Sequence, residues 1–200
     1  MDDSSIRWEE YFNAYGLVII VWIIIFMRLA IPDYSITSAF CQAILLLFWS
    51  YGGHYLAHMV SEQYPFNYIN PHVSIHHKHL VEIPRRLNLT LEAVVNFMSF
   101  FILYIIQAAT DVHILSTSMI IGAGFLYVAI HIFDYSIFGS KKHEIHHLKE
   151  CYNYEPEFMD TLFNTRDDST KPYTDMKNEI VHASCAFLLA LALKKIYHLD

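Results

Sequence analysis

"VHILSTSMIIGAGFLYVAIHIF", residues 112–133, runs for 22 positions without a lysine, arginine, aspartate or glutamate. A helix of about 20 apolar residues crosses a hydrocarbon core of about 30 Å. The stretch therefore reads as a membrane span, and it carries His131 at its end, shortly before the "HEIHH" of residues 143–147. Three other stretches match its character: 14–31 ("AYGLVIIVWIIIFMRLAI", ended by Pro32), 36–55 (through "AFCQAILLLFWSYGG") and 92–109 ("EAVVNFMSFFILYIIQAA"). Their polar interruptions, Gln42, Asn96 and Gln107, fit helix–helix hydrogen bonds.

The links between the spans alternate in size. Those after the first ("PDYSIT") and third ("TD") are tiny, whereas 56–90 and 134–200 are long and hold most of the polar residues. This pattern predicts an all-α integral membrane fold forming a single domain over 1–200. Four transmembrane helices would form two hairpins, and 56–90 with 134–200 would form a histidine-rich helical cap. Arg7, Lys78, Arg85, Arg86, Lys141, Lys142, Lys149, Arg166, Lys171 and Lys177 all fall on the cap side. Arg28 is the exception and would snorkel to the opposite interface. Positive charge collects on the cytosolic face, so the cap is expected to be cytosolic. The sequon Asn88-Leu89-Thr90 would then escape glycosylation.

The N-terminal "MDDSSIRWEE" lacks the basic flank of a cleaved signal peptide, so the first span is expected to be retained as an anchor. A fifth apolar run, 180–193, has 14 residues and is followed by Lys194–Lys195. As a span it would carry both lysines to the far side, so a buried or interfacial helix is expected.

Composition narrows the class. Hydrophobic residues make up 54% and charged residues 16%, against roughly 25% charged in an average soluble domain. A net charge of −7 argues against nucleic acid as a partner, because a phosphate backbone needs a basic face. Cys41, Cys151 and Cys185 are too scattered to form a disulfide framework.

The histidines are the anomaly. "HYLAH" places His54 and His58 at i and i+4, on one helix face. "PHVSIHHKH" adds His72, His76, His77 and His79, and His131 with His143, His146 and His147 completes the set. The expected topology brings all ten to one membrane face, whereas a solvated histidine tract would be of low complexity. A metal site is the reading that accounts for them. Ten imidazoles overfill a single tetrahedral zinc, and eight or more suggest two ions of iron, zinc or copper. Such a centre at a membrane face points toward oxygen activation on a lipid. His113 lies on the opposite face, and His182 and His198 are isolated; these read as interfacial polar residues.

"HEIHH" also contains the zinc protease signature His143-Glu144-x-x-His147, with Glu144 as general base and Asp160 as a third ligand. That reading leaves His146 incidental and the other clusters unused. A metal transporter is a third reading, although transporter ligands sit near the bilayer midplane rather than at span ends.

At these residues the chain resembles the fatty acid hydroxylase/sterol desaturase superfamily of integral membrane histidine-rich di-iron oxygenases. The family pattern is HxxxH or HxxxxH, then HxxHH, then a further histidine or pair, then HxxHH. "HYLAH" and "HEIHH" match the outer blocks, and His131 matches the isolated histidine, with Tyr127 where some members have its partner. "HVSIHHK" has one extra residue, so His76 and His77 carry over more directly than His72. "NYEPEFMDTLFNT", 153–165, resembles the family's N-Y-G…D-x-L-F-G-T run, with Glu155 and Asn164 in place of its glycines. The resemblance covers roughly 36–165.

It implies metal ligands at His54, His58, His72, His76, His77, His131, His143, His146 and His147, with His79 as a further candidate and no catalytic residue beyond them. Asn153 and Asp160 would hydrogen-bond the ligand histidines. The cofactor would be two iron ions, with zinc able to occupy the sites in purified protein. The implied activity is O2-dependent hydroxylation of a fatty acyl or sphingolipid chain; sterol desaturation or sterol methyl oxidation is the alternative within the superfamily. Electrons would come from an NAD(P)H reductase through a cytochrome b5-type donor. The implied site is the endoplasmic reticulum membrane with a cytosolic active centre.

Overall fold

The computed structural model describes residues 8–60, 63, 65, 66, 70, 72–77, 83–167 and 176–200, and these are helical and connecting segments without strands. Helix α1 (Trp8–Ala30) and α2 (Ile36–Met59) form the first hairpin, and α3 (Arg85–Thr110) and α4 (Thr117–Ala129) the second. The helix of α4 widens without a break into a π-helical segment, Ile130–Ile137. A second π-helical turn, His72–His77, lies between the hairpins. Short helices α5 (Lys141–Leu148) and α6 (Glu157–Leu162) form the cap, and α7 (Met176–Tyr197) returns along the bundle.

Among the described residues, four segments are long and apolar enough to cross a membrane: Ile36–Met59, Arg85–Thr110, Thr117–Ile137 and Ile180–Tyr197. The chain is thus a multi-pass membrane protein. The apolar part of α1, Gly16–Ala30, is shorter. Outward-facing Leu17, Ile24, Phe40, Val94, Ile105 and Leu188 are all exposed. That arrangement inverts a water-soluble surface and suits hydrocarbon contact.

The C-terminal run corrects the sequence expectation. It does not stop at Leu193 but continues as helix to Tyr197, which gives it membrane length. Lys194 makes this possible, because its ammonium pairs with Asp33 in the tip of the first hairpin. At the same end Asp200 accepts hydrogen bonds from Thr117 N and the Tyr34 hydroxyl, at 3.1 and 2.7 Å. Lys194 therefore does lie at the hairpin tips, where a local acid offsets its charge.

Helix α4 starts at Thr117 rather than at residue 112. Two glutamines hold the preceding link open. Gln107 Oε1 accepts from Ile114 N and Leu115 N at 2.9 and 2.6 Å, and Gln42 Oε1 accepts from Ser116 N at 2.8 Å. These side chains satisfy backbone donors that helix continuation would otherwise have paired.

The core surrounds α4. Met119, Ile120, Ala123 and Leu126 pack against Phe26 and Leu29 of α1, Ala43 and Leu46 of α2, Phe100 of α3, and Ala183, Ala186 and Ala190 of α7. Small residues let the helices approach closely. A Cβ at Gly122 would come within 2.9 Å of Leu29 Cδ1, and one at Gly124 within 3.0 Å of Phe97 Cδ2. The bundle is held tightly at its centre, which fixes the ends of α2 and α4, where histidines stand.

Candidate metal centre

His54 and His58 leave the last two turns of α2 on one face, with ring centroids 5.2 Å apart. Asn70 then joins the next block to this helix. Its Nδ2 donates to Ala57 O, and its carbonyl accepts from Ser74 N and Ser74 Oγ, both at 3.1 Å. Nothing in the sequence singled out Asn70, whose contribution depends on a contact made 13 residues away. The following turn, His72–His77, is π-helical, and its wider i→i+5 winding brings His72, His76 and His77 together. Helix α5 is capped by the Ser140 side chain, which accepts from His143 N at 3.4 Å, and it presents His143, His146 and His147.

Among the described residues, two buried clusters result. His54, His58, His72, His77 and His146 form one; His76, His143 and His147 form the other. Within each, the potential ligand atoms all lie within 4.8 Å of one another. His131 stands between the clusters, its ring centroid 6.1 Å from His54 and 5.9 Å from His143. The structure thus brings together nine of the sequence candidates, and the three histidines of "HEIHH" divide between clusters. His79 lies outside the described residues.

Histidines outside this gathering have other settings. His182 lies 3.2 Å from Asp134, and exposed His113 lies 3.8 Å from Asp111 at the hairpin tip. His198 follows the end of α7.

Hydrogen bonds at the far ring nitrogens test whether the clusters suit an ion. His54 Nδ1 meets Tyr154 O, His146 Nδ1 meets Tyr152 O at 2.6 Å, and His131 Nδ1 meets Tyr127 O at 3.2 Å. A carbonyl can only accept, so each Nδ1 carries the proton and each Nε2 is left with a bare lone pair. All three of those Nε2 atoms are buried without a hydrogen-bond partner. Orphaned buried acceptors are costly unless a cation satisfies them.

Spacing agrees. Two nitrogens each about 2.1 Å from one ion and at right angles lie about 3 Å apart. His76 and His143, and His143 and His147, have Nε2 atoms 2.9 Å apart; His58 and His72, and His72 and His77, have theirs 3.2 Å apart. The donor set is all imidazole, and each cluster could hold a metal ion.

Burial favours the neutral form of His72, His143 and His146. Burial, followed by neighbouring histidines, holds His72 and His143 well below the ordinary range. Burial lowers His146 from 6.5 to about 4, partly opposed by the Tyr152 carbonyl. Neutral imidazole is the metal-binding form. A folded value below the unfolded one means that acid favours the unfolded chain. Thermal stability of metal-free protein in detergent is therefore expected to be steady above about pH 6.5 and to fall as pH drops toward about 4. A flat melting temperature across that interval would contradict this assignment.

Asn153 and Asp160 do not touch the histidines, contrary to the sequence expectation. Asp160 accepts from Tyr154 N at 2.8 Å, Glu155 N at 2.7 Å and the Thr165 hydroxyl at 2.7 Å. Asn153 accepts from Asp167 N at 3.0 Å and donates to Lys142 O at 3.4 Å. Asp160 thus holds the backbone of the 152–155 turn, and Asn153, itself in that turn, ties it to Lys142 O and Asp167 N. That turn supplies the carbonyls of Tyr152 and Tyr154, so both residues act on the imidazoles through the main chain. Burial pushes the Asp160 carboxyl up to about 6, against the three hydrogen bonds that lower it.

Glu92 is a second group the sequence did not expose. It was readable only as the first residue of a span, yet its buried carboxylate lies 3.5 Å from His76 Nδ1. Comparison with known proteins finds no matching family model, curated protein or solved structure; the geometry is that of a multi-pass membrane protein with, among the described residues, two buried histidine clusters able to hold metal ions.

Proposed function

We propose that the protein is an O2-dependent oxidoreductase that hydroxylates a membrane lipid, a fatty acyl or sphingolipid chain, at a centre of two iron ions. The carrying observation is the pairing of buried, partnerless Nε2 atoms on His54, His131 and His146 with Nδ1 atoms directed at carbonyls. Two ions held there would supply O2 activation and the oxidising power to replace a C–H bond. The chain's own residues bury the site, keep His72, His143 and His146 neutral and fix the orientation of the rings. Apolar Leu56 and Met59 at the end of α2, with Leu148, Leu162 and Phe163 of the cap, are exposed around it and suit an acyl chain arriving from the bilayer.

Two departures from the di-iron superfamily pattern have local explanations that favour the resemblance. The extra residue in "HVSIHH" is accommodated by the π-helical winding of His72–His77, which adds a residue to the turn. Glu155 and Asn164, standing where the family has glycine, have φ of 58° and 57°. That left-handed region is the one glycine occupies without steric cost.

Electrons would come from an external carrier of cytochrome b5 type and an NAD(P)H reductase. We place the centre on the cytosolic face of an endoplasmic reticulum membrane, following the distribution of lysine and arginine. Sterol desaturation or methyl oxidation is the alternative chemistry within the same framework. A zinc protease is disfavoured because Glu144 is exposed, and Asp160, its suggested third ligand, is engaged by three donors.

The test is expression in a host followed by mass spectrometry of fatty acids, sphingolipids and sterols. A lipid heavier by about 16 Da marks hydroxylation, and one lighter by about 2 Da marks desaturation. An unchanged lipid profile from metal-loaded protein supplied with the reductant would refute the proposal. Glu144→Gln is expected to retain activity within about threefold, since an exposed carboxylate is not positioned to serve the reaction. Loss of activity with metal retained would favour the protease.

A further inference from the structure

Glu92 lies in the second turn of α3 and is buried at the base of the cap. A carboxylate in such a place is costly unless donors surround it. Asn88 Nδ2 donates to Oε1 at 2.7 Å, and the Ser136 hydroxyl donates to Oε2 at 3.1 Å. Oε1 also lies 3.5 Å from His76 Nδ1. The other ring nitrogen of His76, Nε2, is 2.9 Å from His143 Nε2 inside the three-histidine cluster. Glu92 and that cluster thus face opposite nitrogens of one imidazole. Ser136 belongs to the π-helical segment that carries His131, so the carboxylate also joins α3 to that segment.

We propose that Glu92 is a positioning residue for a metal ion in the His76–His143–His147 cluster. Its carboxylate holds the His76 ring with the Nδ1 proton toward α3 and the Nε2 lone pair toward the ion. It therefore sets the affinity of this cluster and leaves the five-histidine cluster unaffected. Carboxylates placed behind a ligating histidine orient the ring and raise its basicity. The five-histidine cluster uses backbone carbonyls for the same purpose at His54 and His146, so the two sites are tuned by different groups. This inference rests on the two-ion reading above.

The experiment loads the purified full chain with Zn2+ and follows its release to a chelator. Wild-type protein is expected to release zinc in two phases. In Glu92→Ala one phase should quicken about 10- to 100-fold while the other keeps its rate. Glu92→Gln, which keeps an acceptor oxygen, should restore most of the slow release. His76→Ala should affect the same phase, and adding Glu92→Ala to it should change nothing further, because the carboxylate acts through that ring. If Glu92→Ala does not fold, Asn88→Ala should quicken the same phase about tenfold. Unchanged release, equal quickening of both phases, or additive effects with His76→Ala would overturn the proposal. Wild-type protein that takes up no zinc would overturn the two-ion reading itself, which separates the two failures.

Discussion

His131→Ala is expected to deprive the protein of metal and to lower the proposed lipid oxidation by at least about 100-fold, more than the loss of a supporting group. His131 is the one histidine of the nine that stands between the clusters, 6.1 Å from His54 and 6.0 Å from His76 by ring centroid. Its Nδ1 is directed at Tyr127 O, and its buried Nε2 has no other partner. Tyr127 packs on its ring at 4.1 Å, so the imidazole has little freedom to be replaced by a neighbour. His182→Ala supplies the contrast. His182 is also buried, but it faces Asp134, and its loss should cost about 1–3 kcal/mol of stability with metal retained. Metal content by mass spectrometry, read beside the melting temperature, distinguishes them. Equal metal in wild type and His131→Ala would remove His131 from the centre.

Asp160→Ala should be nearly as damaging although Asp160 touches no histidine. The substitution leaves Tyr154 N and Glu155 N without their acceptor, and each stranded buried donor costs about 1–3 kcal/mol. The Thr165 hydroxyl loses its partner as well, and it is also 2.9 Å from the Tyr51 hydroxyl of α2. A total loss of about 3–5 kcal/mol is therefore expected in thermal unfolding. Because the turn carries the acceptors for His54 and His146, metal affinity at the five-histidine cluster should fall about 10- to 100-fold. Asp160→Asn keeps an acceptor for one backbone N–H and should lie between the two. Chelator competition at a temperature where all three proteins are folded would show it. Unaltered affinity in Asp160→Ala would mean that the turn does not organise the ligands.

Much of the site was legible because its signals are local. The i,i+4 spacing of His54 and His58, and the 143–146–147 spacing on α5, follow from helix geometry. Glu92 was not legible, because beyond Asn88 on its own helix its partners are a ring in another segment and a serine 44 positions away. Asn153 and Asp160 were recognisable as polar residues in a suggestive run. Apart from the Thr165 hydroxyl on Asp160, their hydrogen bonds nevertheless go to main-chain atoms, and residue type does not show that.

The sequence by itself determined the helices, their hairpin pairing and the gathering of histidine blocks at one end. Those features depend on apolar length, link length and periodicity, all properties of short windows. Only the tertiary structure decided how the blocks divide. His143 and His147 share a cluster with His76, whereas His146, one residue from His147, joins the α2 pair. Adjacent helical residues point about 100° apart, so neighbours in the chain reach different partners once packing fixes what stands on each side. The C-terminal helix was settled in the same way. Lys194, which should have ended a span, instead found Asp33 across the bundle, and a charge is tolerated at a membrane edge when its counter-charge is there to meet it.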